Sequence, residues 1–134
     1  MRRFNQLQEI DLPDQLDGDE LRLKQILINL AKNAIKFTKL GYVRIMAGFD
    51  ELTGHIRVQV CDSGSGIAKN EIPQLFNKFG KLFRTADINN DGIGLGLMIS
   101  KALVEQNGGS IDIFSDGIER GSIFTFSMEM SKVD

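Results

Sequence analysis

The chain has 134 residues, a formal net charge of −2 at pH 7, and is 42% hydrophobic and 25% charged. That length supports one domain with a core of its own and no need of staples, and the near-neutral charge gives no reason to expect nucleic acid or an anionic membrane as the main partner. No apolar run approaches the roughly 20 residues of a membrane span, the amino terminus lacks an apolar signal segment, and the single cysteine excludes an internal disulfide or a Cys-rich metal site.

In chain order, Phe4, Leu7 and Ile10 alternate imperfectly and predict a short strand. Met1 directly before Arg2-Arg3 reads as a start set at a domain boundary, so an excised piece is expected. Leu12-Pro13 through Asp17-Gly18 is punctuated as a connector. Asp19 to Thr38, DELRLKQILINLAKNAIKFT, predicts one long amphipathic helix with Leu23, Ile26, Leu27, Leu30, Ala34 and Phe37 as its core stripe. Asp19 is placed to cap it, and Gly41 to stop the chain beyond it. A second face carries Asn29, Asn33 and Lys36 at i, i+4 and i+7. Asparagine is a poor helix former because its amide competes for the backbone. Two of them one turn apart beside a lysine point to a face that holds something: amide oxygens suit a hard cation such as Mg²⁺, and the ammonium suits a phosphate. A solvated face that tolerates Asn is the plainer alternative.

Tyr42 to Glu51 predicts a strand with Val43, Ile45, Ala47 and Phe49 inward. Thr53-Gly54 turns the chain, and Ile56, Val58 and Val60 form the inward face of the return strand. Cys61 in that strand reads as a small buried hydrophobe in a reducing compartment, and the cytoplasm fits best. A short helix is expected from Ala68 to Phe76. The polar stretch Asn77 to Gly92 is long enough to be a lid or binding loop. Leu95 to Gln106 predicts a third helix, with Leu95, Ile99, Ala102 and Leu103 facing the core and Gly108-Gly109 ending it. Two strands follow, Ser110 to Ser115 with Ile111 and Ile113, and Ser122 to Met130 with Ile123, Phe124, Phe126 and Met128. The sum is a two-layer α/β sandwich, about three helices on one face of a mixed, mostly antiparallel five-stranded sheet, spanning residues 1–134 as a single domain.

Two glycine clusters stand at element ends. Asp62-Ser63-Gly64-Ser65-Gly66 follows the second inward strand, where glycines let backbone approach a flat ligand and a carboxylate can accept from an exocyclic amine such as that of adenine. Gly92-Ile93-Gly94-Leu95-Gly96-Leu97 opens the third helix, whose free N–H groups suit phosphate oxygens. Turns needing positive φ are the plainer reading of either cluster alone. The second cluster is G-x-G-x-G without a preceding strand, so it is not a dinucleotide motif, and there is no G-K-[ST] for a P-loop. His55 lies in a strand with no Ser or Cys partner in view and reads as a surface residue.

Together these segments resemble the sensor histidine kinases of two-component signalling. DELRLKQILINLAKNAIKFT resembles their N box, Asp62-x-Gly64-x-Gly66 their first glycine box, and Leu75-Phe76-Asn77-Lys78-Phe79 their phenylalanine box. Gly92-x-Gly94-x-Gly96-Leu97 is similar to the second glycine box and Gly121-Ser122-x-Phe124 to the closing G-S-x-F pattern. The likeness runs from about Leu12 to Met130 with the boxes in the family's order. It implies the Bergerat ATP-binding fold shared with gyrase-type ATPases and Hsp90-type chaperones. It further implies Asn33 as the Mg²⁺ ligand, Asn29 beside metal and phosphates, and Lys36 on phosphate. Asp62 would take the adenine amino group, with Gly64 and Gly66 lining the base. Gly92, Gly94 and Gly96 would hinge a lid, roughly Asn77 to Asp91, braced by Phe76 and Phe79. Ile67, Leu95, Leu97 and Ser122 complete the implied ATP-binding set.

Two departures concern the lid: Ile93 replaces the usual Thr or Ser, and Lys78 stands where Pro is frequent. Gyrase-type ATPases carry a Glu one turn before the metal-binding Asn, and here that position is Asn29, which cannot be a general base at neutral pH. The resemblance therefore implies phosphoryl transfer rather than efficient hydrolysis. His55-Ile56-Arg57 does not resemble the phosphoacceptor motif, so transfer needs a histidine-containing dimerisation domain from elsewhere and the isolated chain is expected to be inactive in autophosphorylation. A response-regulator receiver domain is the expected downstream partner, the isolated chain is expected to be a monomer, and the parent protein could be membrane-anchored. A degenerate nucleotide-binding scaffold, or a serine kinase or small ATPase of the same fold, are the competing readings.

Overall fold

The computed structural model describes residue 13, residues 15–75 and residues 93–132. Within them the chain runs β1 (Leu16–Asp17), α1 (Glu20–Lys36), β2 (Val43–Asp50), β3 (His55–Asp62), a 3-10 turn (Ile72–Gln74), α2 (Ile93–Gln106), β4 (Ile111–Phe114), β5 (Ser122–Glu129) and β6 (Ser131–Lys132). One sheet has the order β2-β3-β5-β4 with every pair antiparallel, and β1 pairs with β6 in a separate two-stranded ribbon.

Period-two patterning sets the register. Ile56 lies between Phe49 and Met128, Val58 between Ala47 and Phe126, and Val60 between Ile45 and Phe124. These side chains therefore stack in rows on one sheet face. Ile26, Leu30 and Ala34 of α1 and Leu97 and Val104 of α2 join them in a single buried cluster, which puts both helices on that face. Each large apolar side chain sealed there contributes about 1.5–3 kcal/mol relative to exposure. Helix α1 begins where the Asp19 carboxylate accepts from the Arg22 N–H at 3.0 Å, pairing a donor that the first turn leaves open. It ends at Lys36, and the Phe37 N–H still donates to the Asn33 carbonyl at 3.2 Å.

The two-layer sandwich is as expected, and several details differ. Four strands of the main sheet fall among the described residues, all antiparallel, and the fifth expected strand, Phe4 to Ile10, lies outside those residues. The connector from Leu12 to Gly18 contains β1, a two-residue strand too short to show any period. The helix expected over Ala68 to Phe76 is only the turn Ile72–Gln74 within the described residues. Pro73 has no N–H, and in a helix begun at Ala68 its ring would meet the preceding turn. The Glu71 carboxylate accepts from the Ala68 N–H instead. Helix α2 starts two residues before Leu95 and buries Leu97, Ser100 and Val104, while Ile99 is 38% exposed and Ala102 also faces out. Its sequence is apolar on nearly every side, so spacing alone does not select the inward face. Ile123 and Phe124 point to opposite faces, as neighbours in a strand must, and only Phe124 enters the core.

Phe126 is fully buried and Leu52 is 97% exposed. Phe126→Ala is expected to cost about 3–5 kcal/mol of unfolding free energy and Leu52→Ala under about 0.5 kcal/mol, measured by urea titration.

Candidate functional site

Helix α1 turns a polar flank toward α2. The Asn29 Nδ2 donates to the Ser100 Oγ at 3.3 Å, and Ser100 is fully buried. A Cβ added at Gly96, in the first turn of α2, would sit 3.9 Å from the Asn29 amide carbon, so the two helices approach across this side chain. One turn on, Asn33 is 3% exposed, and neither its Nδ2 nor its Oδ1 has a hydrogen-bond partner among the described residues. A buried polar group left unpaired costs about 1–3 kcal/mol, so such an amide calls for a reason. Lys36 follows at the end of the helix, half-buried.

The end of β3 supplies the second half of the site. Asp62 is 5% exposed; its Oδ2 accepts from the Ser122 Oγ at 2.6 Å and its Oδ1 from the Gly64 N–H at 2.9 Å. The antiparallel register places Ser122 directly opposite Asp62, which is why the hydroxyl reaches it. The glycine loop then lies against the end of α1. The Ser65 N–H donates to the Phe37 carbonyl at 3.0 Å, and a Cβ on Gly64 would fall 2.2 Å from that same oxygen. Gly66 has φ of 69°, in the left-handed region where a side chain is strained.

The β4–β5 loop clasps the glycine loop from the other side. The Ser115 Oγ accepts from the Ile67 N–H at 3.1 Å and donates to the Gly121 carbonyl at 2.6 Å. The Glu119 N–H donates to the Ser65 carbonyl at 2.7 Å and the Gly121 N–H to the Gly64 carbonyl at 3.2 Å. Ser100 and Ser115, both buried, escaped sequence reasoning. A serine inside an apolar helix and one before Asp116-Gly117 were the available signals.

Of the expected residues, the fold brings Asn29 and Gly96 together at the α1–α2 contact, with Asn33 one turn further along α1 and Leu97 in the core, and it gathers Asp62, Gly64, Gly66, Ile67 and Ser122 around the glycine loop. Gly94 and Gly96 lie at the opening of α2. Gly92, Phe79 and the lid expected over Asn77 to Asp91 lie outside the described residues, as does the Leu95 side chain. Among the described residues no group of three or more His, Cys, Asp and Glu side chains is placed to hold a metal ion. A cation at this site would rest on amide oxygens and on the oxygens of its own ligand. His55 Nε2 lies 3.0 Å from the Gly108 carbonyl, away from these groups in sequence and in a capping contact.

The model of the family "Histidine kinase-, DNA gyrase B-, and HSP90-like ATPase" matches residues 18–132. The chain belongs to this family. Its relatives place it on the histidine kinase side. It is 41% identical over 125 residues to the sensor protein GacS of Pseudomonas syringae pv. syringae, covering 91% of this chain and 14% of GacS. It is 38% identical to the sensory/regulatory protein RpfC of Xanthomonas campestris pv. campestris, covering 90% of this chain and 17% of RpfC. With the signal transduction histidine-protein kinase BarA of Escherichia coli K12 the figures are 39% identity, 90% of this chain and 13% of BarA. The chain thus spans less than a fifth of each of these relatives. Among solved structures, full-length ShkA in complex with AMPPNP superposes with a TM-score of 0.72 at 34% identity, over 87% of this chain and 23% of ShkA. The catalytic domain of the histidine kinase ThkA gives 0.67 at 32% identity, over 84% of this chain and 68% of that domain. The fold is that of a histidine kinase catalytic domain.

Leucine has nearly the shape of asparagine and no polar atoms to satisfy. Asn33→Leu is therefore expected to raise the unfolding free energy by about 1 kcal/mol or more in urea titration. A loss of stability would mean that the Asn33 amide is satisfied in the free protein.

Proposed function

We propose that the chain, as a single catalytic domain over residues 1–134, binds Mg²⁺-ATP and donates the γ-phosphoryl group to a histidine on a separate dimerisation domain. The observation that supports this most is the buried Asn33 amide with both polar atoms unpartnered among the described residues. An amide oxygen is a hard ligand of the kind Mg²⁺ takes, so the residues fit the ion. When bound, Mg²⁺ would neutralise phosphate charge. Asn33 would hold it, with Asn29 beside it, and Lys36 would contact phosphate. Asp62 would accept from the adenine amino group, its carboxylate oriented by Ser122, while Gly64, Gly66 and Ile67 line the base. The first turn of α2, with Gly94, Leu95, Gly96 and Leu97, would turn backbone N–H groups to the phosphates; Gly92 and Phe79 complete the set. The ATP analogue AMPPNP in the ShkA complex supports nucleotide as the ligand class.

Kinase is favoured over free-standing ATPase by Asn29. Phosphoryl transfer needs mainly positioning and charge stabilisation, whereas hydrolysis needs a group that activates water. An amide cannot take a proton at neutral pH, and the Asn29 amide is oriented by Ser100. His55 is the only histidine of the chain, and its ring sits in the Gly108 contact, so the acceptor belongs to another domain. The multidomain length of GacS, RpfC and BarA supports a dimerisation domain and a downstream receiver as partners. Among the described residues no helix is long and apolar enough to cross a membrane. We take the domain to work in the cytoplasm, as a monomer when isolated.

Calorimetric titration with a non-hydrolysable ATP analogue should give saturable one-to-one binding that tightens with Mg²⁺. Asn33→Ala should remove the Mg²⁺-dependent part and leave the Mg²⁺-free affinity alone; an unchanged Mg²⁺ dependence would take Asn33 out of the site. Asp62→Asn should weaken the analogue about 10- to 100-fold through loss of a charge-assisted acceptor, about 1.5–3 kcal/mol. Equal binding by both proteins would end that role for Asp62. Addition of a histidine-bearing two-helix domain should then allow labelled phosphate to move from ATP to that domain.

A further inference from the structure

The sheet face turned away from α1 and α2 is not flat. Alternation puts Arg44 and Met46 of β2, Cys61 of β3, Ile123 of β5 and Phe114 of β4 on it, because Val60 and Phe124 beside them enter the core on the other side. Register joins four of these in one row across the sheet: Arg44 beside Cys61, Cys61 beside Ile123, and Ile123 beside Phe114. Both helices pack on the opposite face, yet Met46 and Cys61 are each only 7% exposed. They belong to the floor of a cavity of about 330 Å³. Tyr42 and Phe114, 40% and 38% exposed, line it from the β2 and β4 margins, which are about 14 Å apart across the four strands.

Three charged side chains that are not already engaged line the cavity: Arg44, and Arg120 and Asp116 of the β4–β5 loop. Asp62 also borders it, but alternation gives Asp62 the face of Val60, and its oxygens accept from Ser122 and Gly64. The Arg44 guanidinium lies 5.0 Å from the centre of the Tyr42 ring, a contact that positions the cation without neutralising it. Neither arginine is in an ion pair among the described residues. The lining thus carries one excess positive charge beside an apolar floor.

We propose that this cavity is a ligand site separate from the polar flank of α1, for a flat, largely apolar small molecule bearing one carboxylate. Its volume decides against a larger occupant. It matches roughly eleven waters at about 30 Å³ each and sits at the small end of the range for small-molecule sites, about 300–1,000 Å³. Even two turns of helix, about 11 Å long and 10 Å across, fill more than twice that space. Aromatic walls with a thioether and a thiol between them favour a ring over an aliphatic chain. An arginine fork takes a carboxylate through paired N–H bonds, and one excess charge suits a single anionic group better than a polyphosphate. The cavity and the Asn29–Asn33 flank lie on opposite sides of the sheet, so both can be filled together.

The test is a titration of the whole 134-residue chain, labelled with ¹⁵N and at its methionine and isoleucine methyls, with 2-naphthoate, followed by chemical shifts. One saturable site is expected, with Kd of about 1 mM or below and shifts centred on Met46, Cys61, Phe114 and Ile123. The alcohol 2-naphthylmethanol keeps the ring without the charge and should bind at least about fivefold more weakly. Inorganic phosphate keeps charge without the ring and should not saturate. Arg44 and Arg120 are exposed, so Arg44→Gln and Arg120→Gln should melt with the wild type. Each should weaken the acid at least about threefold and leave the alcohol unchanged. Absence of saturation, equal binding of acid and alcohol, or wild-type affinity in both variants would overturn the proposal. So would shifts centred on α1 and the glycine loop, or displacement by a non-hydrolysable ATP analogue, either of which would place the probe at the nucleotide site.

Discussion

The arrangement of the site depends on one buried carboxylate. Asp62 ends β3 with its two oxygens committed to Ser122 on the neighbouring strand and to the Gly64 backbone in the loop that follows. Charge-assisted bonds of this kind are worth about 1.5–3 kcal/mol each when their alternative is an unpaired buried group. They fix where the chain leaves the sheet. From that point the Ser65 N–H reaches the Phe37 carbonyl, so a backbone hydrogen bond ties the loop after β3 to the end of α1. The last turn of α1, which carries Asn33 and Lys36, is thereby set relative to the carboxylate. The close approach of Gly64 to the Phe37 carbonyl shows why no side chain is tolerated at that junction.

Helix α1 has to meet three demands with seventeen residues. Ile26, Leu30 and Ala34 seal the core, Asn29 and Asn33 line the polar flank, and Leu21, Ile28 and Ile35 face outward. The unpaired Asn33 amide costs about as much as one good core side chain contributes. The helix bears that cost because its core stripe is long and its first turn is capped by Asp19. Local rules are broken where function is proposed and obeyed everywhere else on the helix, which is the distribution expected of a working site.

Segments with one strong period were legible in the sequence, and segments with none were not. The α1 core stripe, the inward residues of β3 and the Asp19 cap follow directly from spacing and side-chain chemistry. Helix α2 is apolar almost all round, so its start and its inward face were set by tertiary contacts that no window of sequence contains. Ile45 and Met46 show a related limit. The alternation in β2 is correct, but β2 is an edge strand, and its inward Ile45 is left half-covered while Met46 on the opposite face is 7% exposed. Pro73, with no N–H and a ring that crowds the preceding turn, argues against a helix begun at Ala68. The ribbon between β1 and β6 joins the two ends of the described chain, and pairs of two residues carry no local signal.

The candidate site was legible as a set of boxes, but the reason its parts hold still was not. Three buried serines do that work, each from a different element. Ser100 orients Asn29, Ser115 receives the Ile67 N–H, and Ser122 holds Asp62. A hydroxyl can donate and accept through a rotating proton, so it suits an amide, a backbone N–H and a carboxylate alike. Serine spacing has no period and serine burial no hydropathy signature, so these residues are invisible until the elements are assembled. Their presence sharpens the meaning of the one exception. Thr38 Oγ1 and Gln59 Oε1 are also buried without partners, but among the described side chains Asn33 alone has two such atoms, its Nδ2 and its Oδ1. The buried Asn33 amide is thus the observation on which the proposed Mg²⁺-ATP site rests, because an oxygen-seeking cation with its phosphate oxygens would engage both of its atoms at once.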